Sequence, residues 1–151
     1  MMQLTYDMDT QTSDLSRPDD ANFESSELLN TAVFMSLFTR RRAEDDDVLP
    51  EPLAHREGWW GSAYEKESGH QIGSRLWLLR RAAPTQSTLN YVKTYSYEAL
   101  QWMLDDGIAK SIDVEVEWQE GRRLAFKVEI TKPDKVASRW TGVWDAHLGE
   151  L

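Results

Sequence analysis

Carboxylates are the residues this chain offers most freely for chemistry: it holds 26 Asp and Glu. Two carboxyl groups facing each other across a cleft, about 5 to 9.5 Å apart, can hydrolyse a glycosidic bond. One protonates the leaving oxygen and the other attacks or activates water. Glu24 or Glu27 with Glu98 or Asp105 are the candidate pairs. Such a pair works only if an apolar pocket keeps one carboxyl protonated while its neighbour stays ionised. Nothing in the sequence supplies that pocket, and with so many acids chance pairs are unavoidable. His55, His70 and His147 are not at metal-ligand spacing from one another, and no HExxH-type motif is present. Gly69-His70-Gln71-Ile72-Gly73 lacks the Lys-Ser/Thr ending of a phosphate-binding loop, and there is no Gly-x-Ser-x-Gly elbow. The absence of cysteine removes thiolate catalysis, zinc–thiolate sites and disulfides together. No catalytic residue, metal ligand or cofactor is therefore assigned.

What the chain has in excess is tryptophan, seven in 151 residues. Tryptophan is enriched at the centres of protein interfaces, where its flat area is desolvated at little rotamer cost. Core filling is the competing use for each one. Gly58-Trp59-Trp60-Gly61 places two indoles side by side in a glycine-flanked segment, and no regular period points both into one core. Asp105 and Asp106 fall in the last turn of an expected helix, where its dipole disfavours anions by roughly 0.3–1 kcal/mol each. A cationic partner or solvent screening would relieve them. The interface candidates are Trp59, Trp60, Arg75, Trp77, Asp105, Asp106, Arg139, Trp140 and Trp144.

The elements that must position these residues follow from periodicity. Residues 2–6 and 13–16 predict two short strands, and 17–24 a polar loop, giving an amino-terminal arm over 1–24. Ser25 or Ser26 can cap a helix running to about Phe38, with Leu29, Val33 and Leu37 four apart and Leu28, Ala32 and Met35 flanking them. Arg40-Arg41-Arg42 followed by Glu44-Asp45-Asp46-Asp47 predicts a solvated face, with a docking edge or an electrostatic staple between subunits as the alternative. Residues 48–72 form a long connection of the kind that usually binds something. Ser74 can cap a helical turn over 75–81. Pro84 suits the first turn of a long helix whose apolar face is Leu89, Val92, Ser96, Ala99, Leu100 and Met103, with Tyr91, Tyr95 and Trp102 beside it and Gly107 as its stop.

Ile112 to Trp118 and Leu124 to Ile130 then alternate apolar with polar, the signature of a hairpin. A three-residue loop Gln119-Glu120-Gly121 sets Val116 opposite Leu124, Val114 opposite Phe126 and Ile112 opposite Val128. It also pairs Glu117 with Arg123 and Asp113 with Lys127 on the other face. Residues 137–144 predict a third strand, at an edge. The fold class is α+β: two main helices packed on a small, mostly antiparallel sheet with a carboxy-terminal β-hairpin, residues 25–151 forming a single domain.

The formal net charge of −9 repels phosphate, so nucleic acid and anionic membrane are not expected partners. No stretch resembles a signal peptide or a membrane span, and synthesis in the cytoplasm is expected. On the residues alone a peptidoglycan-degrading enzyme and a free-standing inhibitor or adaptor remain alternatives to an assembly role.

Several segments in order resemble one family. Ser36-Leu37-Phe38-Thr39-Arg40-Arg41-Arg42-Ala43 is followed by Gly58-Trp59-Trp60-Gly61, then Gly73-Ser74-Arg75-Leu76-Trp77-Leu78-Leu79, then Glu98-Ala99-Leu100-Gln101-Trp102-Met103, the hairpin and Trp144. This resembles the Mu-like phage baseplate wedge family, distantly similar to the T-even lysozyme-like baseplate wedge and tail-sheath initiator proteins, over roughly residues 25–145. The Gly-Ser-Arg-Leu-Trp-Leu-Leu run is its most specific piece. The resemblance implies a structural wedge protein beside the tail tube of a contractile tail, in a sixfold baseplate. Its implied partners are other wedge proteins, the tail sheath, and the tube or spike hub. The lysozyme label of the wider group carries no activity here. Where that group often has Glu-Pro-Arg, this chain reads Asp105-Asp106-Gly107-Ile108, so contacts made by that motif do not transfer. Carboxy-terminal strands that template sheath subunits would be removable: shortening the chain before Ala137 is expected to leave the domain folded.

Overall fold

A computed structural model describes residues 3–7, 12–16, 26–50, 56, 58, 72–120 and 123–145. Its elements are β1 (Gln3–Asp7), β2 (Thr12–Ser16), α1 (Ser26–Phe38), a 3-10 turn (Leu76–Leu79), α2 (Gln86–Asp105), β3 (Ser111–Gln119), β4 (Arg123–Thr131) and β5 (Ala137–Asp145). β1 and β2 pair antiparallel, Gln3 opposite Ser16 and Asp7 opposite Thr12, and β1 lies along α1. The other three strands form an antiparallel sheet in the order β3-β4-β5. Two helices on one face of an antiparallel sheet make the α+β arrangement the alternation of periods implied.

The core lies between the helices and the sheet. Leu29, Val33 and Leu37 of α1 are fully buried, as are Val92, Leu100 and Met103 of α2. They meet Val114, Leu124, Phe126, Val128, Ile130 and Trp144 from the inner face of the sheet. Each such aliphatic side chain contributes about 1.5–3 kcal/mol by leaving water. Met35, grouped with the α1 stripe by spacing, instead points outward and is 46% exposed. Ser36 takes the buried position beside it, accepting a 3.0 Å hydrogen bond from Trp102 Nε1 and so tying α1 to α2.

α2 begins two residues later than proline placement suggested. Thr85 is the cap, its Oγ1 accepting from the Thr88 amide at 3.2 Å, and Pro84 precedes it. The helix stops at Gly107, φ +70°, whose amide donates to the Leu104 carbonyl at 3.1 Å. The expected cap at Ser74 is also different. Ser74 Oγ donates to the Leu37 carbonyl and accepts from the Leu76 amide, so it links the 3-10 turn to α1.

The hairpin keeps its predicted faces but not its predicted register. Val116 lies opposite Phe126, Val114 opposite Val128 and Ile112 opposite Ile130, two residues from the expected pairing. This register adds a Trp118 to Leu124 pair that the expected one would have lost. The expected Glu117–Arg123 and Asp113–Lys127 pairs are replaced by Glu115–Lys127, 2.7 Å apart. Asp113 now faces Glu129, a like-charge pair that would be unfavourable alone. It is relieved from two sides: Arg139 of β5 holds Glu129 at 2.9 Å, and the Tyr97 hydroxyl lies 3.3 Å from Asp113. The third strand supplied the missing cation, which two-strand reasoning could not see. Gly121, expected at the left-handed loop position, lies outside the described residues.

Candidate protein–protein interface

The segment after α1 is held by a polar clamp. Gly73 adopts φ +103° and lets its backbone close on Thr39. There Ser74 and Thr39 bond amide to carbonyl at 2.9 Å, and the Arg41 amide donates to the Ser74 carbonyl at 3.0 Å. The next residue, Arg75, spreads its guanidinium between two elements. Nη1 donates to the Asp47 carboxylate at 3.0 Å, while Nε and Nη2 donate to Glu98 Oε2 of α2 at 3.1 and 2.9 Å. Arg41 reaches the other oxygen of Glu98 at 3.2 Å, and the Tyr95 ring lies under Arg75 at 4.7 Å. Burial opposes charge on Arg75. The hydrogen bonds that Arg75 donates to Asp47 and Glu98 overcome it and hold the guanidinium above its ordinary value. Burial also raises the Tyr95 phenol, with Asp47 adding to the effect. Trp77 Nε1 completes the clamp by donating to the Arg41 carbonyl at 2.8 Å.

The second feature is the outer edge of the sheet. The Val114 amide donates to the Tyr97 hydroxyl at 3.1 Å. Val114 therefore points its backbone polar groups away from β4, and α2 covers part of the β3 edge. Hydrogen-bonding direction alternates along an antiparallel strand. Carried across β4, that alternation turns the backbone groups of Arg139, Thr141 and Val143 away from β4. Lys132 and Val136 agree, bonding amide to carbonyl at 3.0 Å where the β4–β5 ladder closes. Among the described residues no strand lies beyond β5. The side chains of Arg139, Thr141 and Val143 are exposed on the outer face.

The interface candidates fall in separate places. Trp59 and Trp60 lie outside the described residues. Arg75 belongs to the clamp, and Trp77 is buried beside it. Trp144 is buried in the core, and Trp140 lies half-buried over Gly142, its ring 6.0 Å from Phe38. A Cβ at Gly142 would overlap that indole. Arg139 is exposed and paired with Glu129. Asp105 and Asp106 are exposed at the end of α2, Asp105 accepting from Gln101 at 3.0 Å. The structure does bring Trp77 and Trp144 together. With Leu37 and Leu76 they floor a cleft of about 110 Å³ that has Arg40 and Arg80 among its lining residues.

Residue spacing missed Asp47, Glu98, Tyr95 and Tyr97 as positioning residues. The acidic run 44–47 was expected on a solvated face, yet Asp47 is largely enclosed by its pairing with Arg75. The only signal was the adjacency of opposite charges, which does not say which member turns inward. Of the carboxylates considered for catalysis, Glu98 has both oxygens engaged by guanidinium groups and Asp105 is exposed. The side chains of Glu24 and Glu27, and the three histidines, lie outside the described residues. Among the described residues no group of three or more His, Asp or Glu could hold a metal ion. None of the described helices is long and apolar enough to cross a membrane.

Residues 29–137 match the family described as Phage protein GP46. The chain is 40% identical over 116 residues to the baseplate protein gp46 of Escherichia phage Mu, covering 77% of this chain and 78% of that one. It is 36% identical over 106 residues to the Mu-like prophage FluMu protein gp46 of Haemophilus influenzae, covering 70% of each.

Proposed function

The chain belongs to this Mu-like GP46 baseplate family, and from that premise we propose that it is a structural, non-catalytic part of a phage tail baseplate. Its likeness to the Mu baseplate protein over most of both chains carries the reading. The protein would be made in the host cytoplasm and reside in the virion. Within the baseplate it acts as a wedge subunit beside the tube of a contractile tail, one of several copies in a sixfold ring. Its partners are other wedge proteins, the sheath, and the tube or spike hub.

The edge of β5, beyond which no strand lies among the described residues, supports a role in starting the sheath. An edge strand that offers unpaired amides and carbonyls accepts an added strand from another chain. Arg139, Thr141 and Val143 carry that edge, and Trp59, Trp60, Asp105 and Asp106 remain candidate contacts to wedge neighbours.

Proline at Thr141 tests the strand-addition reading. The Thr141 amide faces the open edge, so proline there spares the β4–β5 ladder and blocks a partner strand. Phage carrying Thr141→Pro should yield a folded protein with unchanged far-UV circular dichroism, but tails that carry baseplates without sheath. Normal sheaths on such particles would rule out strand addition at β5. Complete baseplates from phage lacking the gene would overturn the baseplate role itself. Zymography on peptidoglycan should show no clearing. A zone abolished by one Asp or Glu substitution would refute the non-catalytic reading.

A further inference from the structure

The three-stranded sheet ends in β3 on one side and β5 on the other. If both edges accepted strands, β5 of one copy would pair with β3 of the next. Such a head-to-tail contact does not close and grows into fibres. Contact charges do not prevent it. The outer face of β3 carries Asp113, Glu115 and Glu117, and β5 would meet them with Arg139, Thr141 and Val143. The β3 edge is covered in another way. α2 runs alongside β3 in the opposite direction. Trp118 Nε1 donates to the Thr85 carbonyl at 3.3 Å, which sets the start of the helix by the end of the strand. Midway along, the Tyr97 hydroxyl accepts from the Val114 amide at 3.1 Å and donates to the Asp113 carboxylate at 3.3 Å. A partner strand would place a carbonyl oxygen about 2.9 Å from that amide. The phenol oxygen already stands there, and its ring enters the lane, about 4.8 Å wide, that a fourth strand needs. Tyr97 is 37% exposed, so burial alone does not account for its position.

We propose that Tyr97, positioned by Asp113, guards the β3 edge: it keeps β5 of a second copy from adding there and so directs strand addition to β5. Asp113 takes the hydroxyl proton, which leaves the oxygen lone pairs for the Val114 amide. Covering an edge with a helix is a common way to block unwanted pairing. Here one hydroxyl completes the cover by satisfying a backbone donor. This role rests on the reading of β5 as a strand-accepting edge, but not on what that edge meets in the virion.

The test uses the purified full-length chain at about 0.15 M salt, where long-range repulsion between copies is screened. Sedimentation velocity is followed over rising protein concentration, and hydrogen exchange is read at the Val114 amide. Tyr97→Ala should keep the parent's circular dichroism yet associate with rising concentration beyond anything the parent forms. Adding Thr141→Pro should return it to the parent's behaviour, because proline removes an amide that β3 of the next copy would need. Tyr97→Phe keeps the ring and drops the hydroxyl. At low concentration its Val114 amide should exchange about tenfold faster or more, and this comparison serves should alanine unfold the chain. Association of Tyr97→Ala no greater than the parent's overturns the proposal. So does association that Thr141→Pro leaves intact, or Val114 exchange unchanged in Tyr97→Phe. Sheath growth is read separately on phage particles. Failure here leaves the sheath reading standing, and normal sheaths on Thr141→Pro particles would leave the guard standing.

Discussion

Gly73 and Gly107 both hold positive φ, at +103° and +70°, but they should tolerate a side chain very differently. A Cβ at Gly73 would overlap the Thr39 carbonyl oxygen and lie 2.8 Å from its carbon, both of them backbone atoms. Around Gly107 nothing lies within 4 Å of such an atom. Gly73→Ala should therefore cost about 3 kcal/mol or more, combining strain with a clash that only backbone movement relieves. Gly107→Ala should cost about 1 kcal/mol, the left-handed conformation alone. Urea unfolding of the two variants would compare them directly, and equal losses would contradict the close approach at Thr39. Tyr95 gives a pH prediction at the same scale. Burial makes its phenolate unfavourable, so the folded state holds the proton more tightly than the unfolded one. The stability this gives is complete below the ordinary tyrosine value of about 10 and disappears as pH rises through the higher folded value. Alkaline unfolding should begin later in Tyr95→Phe than in the parent, followed by circular dichroism above pH 10.

At the scale of elements, β5 does more than its sequence suggested. Alternation was weak over 137–144, and the strand was expected to be dispensable. The structure corrects that: Trp144 is buried against Leu124, and Trp140 packs over Gly142 beside Phe38. Removing the chain before Ala137 would strip this layer from the core and should not leave a native domain. Trp144→Ala alone is expected to cost about 3–5 kcal/mol, read as a fall in the urea midpoint, whereas Val143→Ala on the outer face should change it little. A midpoint for Trp144→Ala within error of the parent would mean that the indole is not a core residue. The helices and the two hairpin strands with their faces were legible because one repeating period marks each of them. Register was not, because Glu129 is satisfied by Arg139 from a strand that the two-strand pattern does not contain. The clamp was not legible either, since Arg75, Asp47 and Glu98 are brought together across 28 and 23 residues of chain.

For the whole molecule, the question is which part of the chain is the folding unit. The core draws its residues from Leu29 to Trp144, and its three anchoring layers are α1, α2 and the sheet. The β1–β2 pair meets this body along α1. We propose that residues 1–24 are an arm added to a domain that begins at the start of α1. A chain lacking residues 1–24 should unfold cooperatively, with a denaturant slope close to that of the full chain, because nearly the same surface is exposed on unfolding. Its midpoint should fall only by the loss of contacts along one face of α1. Loss of cooperativity, or a helical signal that disappears in the truncated chain, would show that the arm completes the fold. If the truncated chain is folded but fails to rescue phage lacking the gene, the arm's role lies in assembly, where a β-pair projecting beside α1 would find its partner on a neighbouring subunit.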